Sequence, residues 1–271
     1  MCLAVWAVAQ HPQFPWLIAS NRDEFHARPT APLGWWRPEG ADGDVLSGRD
    51  LSAGGTWLGL NVQGRLALVT NVREPGRHDP AAASRGALVL QGLQRGPQDE
   101  AWVRRVVQEP RNGYNLLLAD LRGSDAAWAS NRAAAPQRMG AGLHGLSNAL
   151  LDTPWPKVQA LKQRLAAAMA RAGEVDGLIE DALSALADRS IAPDATLPRT
   201  GLPLERERQL APAFIHIGAS ATGAPGAYGT RCSTVVIAEQ RPQGRRLHVV
   251  EQRYDADGEV AGLSREVLTL A

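Results

Sequence analysis

Of the 271 residues only two are cysteine, Cys2 and Cys232, too few for a disulfide framework and without the spacing of a zinc cluster. Neither sign of charge is in excess: 29 Lys and Arg stand against 28 Asp and Glu, a formal charge of +1. That balance, with 44% apolar residues, excludes a disordered chain and an electrostatic binder of nucleic acid. Long hydrophobic runs are absent as well. The chain carries no formally charged side chain from Met1 to Asn21, but the apolar run ends after nine residues, at Ala9, and His11-Pro12-Gln13-Phe14-Pro15 interrupts it. A membrane span needs about 20 continuous apolar residues, and a signal peptide needs a basic start and a small-residue cleavage site. The expectation is a cytoplasmic protein with no transmembrane segment that opens on two buried strands. Phe and Tyr are scarce at three each, whereas Trp numbers eight.

What is abundant is turn formers: 27 glycines and 18 prolines imply many short strands. Cys2 to Ala9 and Trp16 to Ser20 read as an antiparallel pair buried on both faces. His26 to Gly55 is rich in Pro, Gly and Asp and reads as a long irregular segment of the kind that carries function. Thr56 to Val62 and Arg65 to Thr70 form a hairpin turning at Gln63-Gly64. Apolar spacing of three and four predicts helices over Ser84 to Gln94 and Gln98 to Gln108. Strands follow at Tyr114 to Asp120 and Ala126 to Asn131, then helices at Pro156 to Arg171 and Glu174 to Ala187. Ile191 to Gln209, punctuated by Pro193, Pro198 and Pro203, reads as loop. Strands close the chain at Ser233 to Glu239, Leu247 to Tyr254 and Glu259 to Ser264. Strands alternating with helix pairs, without repeat or linker, predict one α+β domain over residues 1–271, two antiparallel sheets packed together with helices outside.

Removal of Met1 would leave Cys2 with a thiol and a free α-amine on one residue, a nucleophile and its base, both titrating near neutrality. A lone cysteine opening a strand also reads as a buried core residue. Ser20-Asn21-Arg22-Asp23-Glu24-Phe25 leaves the second strand beside Cys2, and alternation puts Asn21 and Asp23 on one face. Asp23 would then hold the α-ammonium or orient the thiol; the plainer reading is polar strand-end chemistry. Asn71, at the end of the hairpin, reads as an oxyanion donor or as a turn cap. Gly145-Leu146-Ser147-Asn148 and Tyr228-Gly229-Thr230-Arg231 each set a polar side chain beside glycine at an element boundary. None of His11, His26, His78, His144, His216 or His248 lies in a local ligation pattern, so no metal site is expected.

Together these blocks carry a resemblance. With Arg28-Pro29, Leu46-Ser47-Gly48, Gly54-Gly55-Thr56-Trp57-Leu58-Gly59, Thr70-Asn71, Arg85-Gly86, Tyr114-Asn115 and Thr153-Pro154-Trp155, they identify the chain as similar to the NRDE family, also known as the transport and Golgi organisation family. That family looks like the N-terminal-nucleophile hydrolases, which implies a four-layer αββα sandwich. Compared with the choloylglycine group, including bile salt hydrolases and penicillin V acylases, the resemblance makes Cys2 the nucleophile, Asp23 the acid that holds the α-amine and Asn71 the oxyanion donor. It makes Asn148 and Arg231 later pocket residues. One position departs: that group has an arginine three residues before the aspartate, where this chain has Ser20, and Arg22 points to the other strand face.

The resemblance implies a cysteine amidohydrolase acting on a hydrophobic acyl-type ligand, with no cofactor required. The alternative it supports is a non-catalytic carrier of haem or of acyl-CoA and lipid on the same scaffold. For either ligand Asn21, Arg22, Arg28, Trp57 and Tyr228 are candidate contacts, with Arg22, Arg28 or Arg231 meeting carboxylates or phosphates. Trp35 and Trp36 are expected in a loop rimming the pocket, or as a surface for a protein partner. Trp6, Trp16, Trp102 and Trp128 read as core. The sequence leaves the oligomeric state open.

Overall fold

The structure is a computed structural model that describes residues 2–223 and 226–270. It begins with strands β1 (Cys2–Val8), β2 (Trp16–Phe25), β3 (Thr30–Trp36), β4 (Val45–Asp50), β5 (Leu58–Asn61) and β6 (Arg65–Asn71). Helices α1 (Gly86–Arg95) and α2 (Glu100–Val106) lead to β7 (Tyr114–Asp120), β8 (Asp125–Ser130), β9 (Gln137–Met139) and β10 (Gly142–Leu146). The second helix pair, α3 (Pro156–Ala170) and α4 (Val175–Leu186), is followed by α5 (Leu204–Gln209), β11 (His216–Ile217) and α6 (Ala219–Thr222). Three long strands finish the fold: β12 (Tyr228–Arg241), β13 (Gly244–Tyr254) and β14 (Val260–Leu270).

All pairings are antiparallel and fall into two sheets. One runs β10-β1-β2-β12-β13-β14, with β11 beside β12; the other runs β3 to β9 in chain order. Strand alternation splits the core into layers. From β1, Ala4, Trp6 and Val8 join Trp16, Ile18, Leu66, Leu117 and Trp128 between the sheets. Leu3, Val5 and Ala7 face the other way, against Val158, Leu161, Leu165 and Met169 of α3 and Ala182 and Leu186 of α4. Beyond the second sheet, Leu88, Val89 and Leu93 of α1 and Trp102, Val103 and Val106 of α2 cover Ala67, Leu116 and Leu118. The result is a four-layer αββα sandwich. Because β1 and β2 are covered on both sides, their sequences are apolar throughout and alternation is invisible in them. Trp6 and Trp16 are wholly enclosed, and each such side chain contributes about 3 kcal/mol of burial.

Several boundaries differ from the sequence reading. The 26–55 segment holds β3 and β4, paired through a bulge between Ala31 and Gly34. β3 lies at the sheet edge and is half-exposed, so Pro32 and Gly34 are tolerated there while masking its pattern. In the 191–209 loop, Pro193 and Pro203 precede a 3₁₀ turn and α5 instead of breaking structure. β2 continues past Ser20 to Phe25, and β12 starts at Tyr228, five residues ahead of Ser233. Among the described residues no helix is long and apolar enough to cross a membrane.

Candidate active site

The amino end of β1 meets the carboxyl end of β2, where the apolar strand turns polar. The register sets Cys2 opposite Arg22, and Arg22 in turn opposite Cys232 on β12. By alternation these three side chains, with Ser20, look into the space between the sheets. The expectation that Arg22 would point to a face other than that of Ser20 is thereby corrected: residues two apart on a strand share a face. The Arg22 guanidinium lies 4.3 Å over the Trp57 ring, donates to Thr30 Oγ1 at 3.2 Å and stands 4.0 Å from Asp50. Trp57 can lie against β4 because Gly48 has no Cβ; one there would stand 2.4 Å from the ring.

Asn21 and Asp23 do share the opposite face, towards the helices. Asn21 donates to Leu186 O at 2.9 Å and Ala213 O at 2.8 Å and accepts from Ser233 Oγ at 2.6 Å, which ties β2 to the helix layer. Asp23 Oδ1 accepts from Thr230 Oγ1 at 2.8 Å, and Thr230 Oγ1 accepts from Ile215 N. Behind it Lys157 of α3 is buried, donating to Leu210 O at 2.9 Å. Asp23 reaches Cys2 through its main chain, because its N–H donates to the thiol. Burial pushes the Cys2 thiol up, the Asp23 charge adds to that, and Arg22 and the Asp23 N–H oppose it. Burial likewise raises the Asp23 carboxyl, against Lys157 and Thr230, and lowers Lys157 to about 8.

Cys2 opens into a cleft of about 360 Å³ lined also by Arg22, Asp23, Glu24, Arg28, Asp50, Trp57 and Asn71, with residues 78–86 as its far wall. Asn71 contributes a side chain that makes no hydrogen bond to the described residues. Arg28 is held by Asp50 at 2.9 Å. The wall is more polar than a tryptophan-rich pocket: of the eight tryptophans, Trp57 alone lines the cleft. Trp35 and Trp36 lie on β3 and not in a rim loop, with Trp36 donating to Ser47 Oγ at 2.8 Å and Arg49 stacked 4.6 Å from its ring.

Asn148, Arg231, Tyr228 and Asn21 are outside the lining and act on the strands that form it. Ser147 donates to Cys2 O at 3.3 Å and Asn148 to Asn71 O at 3.0 Å, so this block clasps the end of β6 to the start of β1. Arg231 donates to Phe25 O and Arg28 O, each at 2.9 Å, fixing the turn after β2. Tyr228 packs edge-on against Phe25 and donates to Asp23 O at 3.3 Å. The expected removal of Met1 concerns a residue outside the described ones.

Sequence reading missed Asp50, His78, Arg85 and Lys157. Lys157 was hidden in an amphipathic helix, where a lysine reads as solvated. Arg85 stood in a family block, and that was its one signal.

The sequence and the fold can be compared with known proteins. A Transport and Golgi organization protein 2 homolog of Bos taurus is 34% identical over 263 residues, covering 93% of this chain and 86% of its own. The Homo sapiens homolog is 34% identical over 234 residues, 82% of each chain. Among solved structures, the C2A mutant of a conjugated bile acid hydrolase from Clostridium perfringens superposes with a TM-score of 0.43 at 10% identity, over 100% of this chain and 98% of that one. The family model described as Transport and Golgi organisation 2 matches residues 1–256, and the blocks that clasp the cleft, from Cys2 to Arg231, lie inside that match: the chain belongs to the Transport and Golgi organisation 2 family.

Proposed function

We propose that this protein is a cysteine amidohydrolase of the N-terminal-nucleophile type, cleaving the C–N bond of an N-acyl amide in the Cys2 cleft. The observation that carries the reading is the meeting of Cys2, the Asp23 main chain and the unengaged Asn71 carboxamide at one cleft of about 360 Å³. With Met1 removed, the Cys2 α-amine takes the thiol proton and the thiolate attacks the amide carbonyl. The Asn71 side chain donates to the developing oxyanion. The ammonium returns the proton to the leaving amine as the C–N bond breaks, and water then hydrolyses the thioester, freeing the acid and the thiol. Asp23 stabilises the ammonium, while Arg22 favours the thiolate. Cys2→Ala should abolish turnover of a panel of N-acyl amides and leave their binding intact; retained turnover would refute the reading.

A second reading, a carrier that binds without turnover, is favoured by one observation: burial raises the Cys2 thiol and so keeps it neutral. Its ligand would be haem or a long-chain acyl-CoA, and His78, the one histidine lining the cleft, would be the axial group for a haem cargo. Titration with each, followed by absorbance and calorimetry, should then saturate at micromolar ligand; an absence of response would remove the carrier reading.

A further inference from the structure

The cleft contains three guanidinium groups, and they are not equivalent. Arg28 is paired with Asp50 at 2.9 Å and sits 4.0 Å from Glu24, while Arg22 is stacked on Trp57 and bonded to Thr30. Arg85, the residue that precedes α1, makes no ion pair with any described residue. Its one side-chain hydrogen bond, to Gly113 O, is 3.4 Å long. It is nevertheless held in place from below. Gly55 and Gly86 touch through their backbones, and a Cβ on Gly55 would stand 2.8 Å from the Gly86 carbonyl carbon, so the start of α1 is seated directly on the loop after β4. Both glycines line the cleft beside Arg85 and Cys2.

Burial works against the charged form of Arg85, and an arginine in a protein does not shed its proton. A partly desolvated cation without a carboxylate partner is offset best by an anion that arrives with the ligand. The charge around it sets which anion. Asp23, Glu24, Asp50 and Asp79 also line the cleft, and Asp50 already engages Arg28. The Asp23 carboxyl is turned towards the helices, so one unpaired guanidinium stands among the three carboxylates of Glu24, Asp50 and Asp79: it matches a single negative charge, and those carboxylates repel a second one.

We infer that Arg85 is the specificity residue of the cleft and that it receives the carboxylate of an N-acyl amino acid type of ligand, whose amide then lies at Cys2. The inference rests on the amidohydrolase reading of the cleft, yet binding tests it without turnover. On the Cys2→Ala protein, calorimetry would compare N-octanoylglycine, the uncharged N-octanoylethanolamine and the dianionic N-octanoyl-O-phosphoethanolamine. The carboxylate should bind at least about tenfold more tightly than either of the others, as expected for a charge-assisted pair. Adding Arg85→Gln should bring the carboxylate and the ethanolamide to equal affinity, and Arg85→Lys should keep part of the preference. An unchanged preference in the Arg85→Gln protein, or tighter binding of the phosphate, would overturn the assignment of Arg85 and leave the cleft reading standing. Binding of none of the three would overturn both.

Discussion

Cys2 and Arg22 stand directly opposite each other across β1 and β2, on the side of the strands that faces the other sheet. The nucleophile candidate and the cation facing it are thus fixed by strand register and not by a loop.

That pairing gives the thiol a measurable dependence on Arg22. Burial raises the Cys2 thiol and Arg22 opposes it, so Arg22→Met removes the opposing charge and sends the thiol higher still. At a fixed pH below its midpoint the thiolate fraction falls. Alkylation of Cys2 by iodoacetamide at pH 8 should therefore be slower in Arg22→Met than in the wild type. An unchanged or faster rate at Cys2 would contradict the pairing.

Lys157 makes a prediction about stability against pH. In the fold it titrates at about 8, below its usual 10.5, because burial disfavours the ammonium. Between those values the unfolded chain holds a proton that the folded chain does not, so this lysine adds stability as pH rises from about 8 towards 10.5 and withdraws it as pH falls. In Lys157→Met that contribution disappears. The melting temperature of the wild type should gain on that of the variant between pH 8 and pH 10; parallel curves would show that Lys157 is solvated.

The Asn148 side-chain amide donates to the Asn71 main-chain carbonyl at 3.0 Å, and Asn148 does not line the cleft. Asn148→Ala should cost about 1 kcal/mol in urea unfolding. Under the proposed reaction it should also lower kcat by displacing Asn71, with KM little changed. Combined with Asn71→Ala it should add little further loss of kcat, whereas an additive loss would mean that the two act separately.

The contact of Gly55 with Gly86 predicts a packing effect. A methyl group at residue 55 would fall 2.8 Å from main-chain carbon, which cannot move as a side-chain tip does. Gly55→Ala should therefore destabilise by about 1–3 kcal/mol. A urea midpoint equal to that of the wild type would show that the start of α1 shifts freely.

The layers of the fold were legible because periodicity records them: the Val158, Leu161, Leu165 and Met169 stripe marks the face of α3 that the sheet covers. β3 and β4 were not, because an edge strand with Pro32 and Gly34 and a two-residue pairing of β4 with β5 leave little pattern. At the site, Cys2, Asp23 and Asn71 could be read from chain order and strand ends. The cleft's far wall could not, since Arg85 reaches it through a contact between two glycines that have no side chain to announce it. The roles of Asn148 and Arg231 were also hidden: both were expected in the pocket, and each holds a backbone carbonyl of a strand or turn that forms it.

The central claim is that Cys2 forms a covalent acyl intermediate. Acid quenching of the protein within seconds of adding an N-acyl amide, followed by peptide mass spectrometry, tests it directly. The account predicts a Cys2 peptide that lacks Met1 and carries the acyl mass as a thioester, absent from Cys2→Ala and retained in Cys232→Ala. A Cys2 peptide that keeps Met1 and never carries acyl, with no amide cleaved, would contradict it.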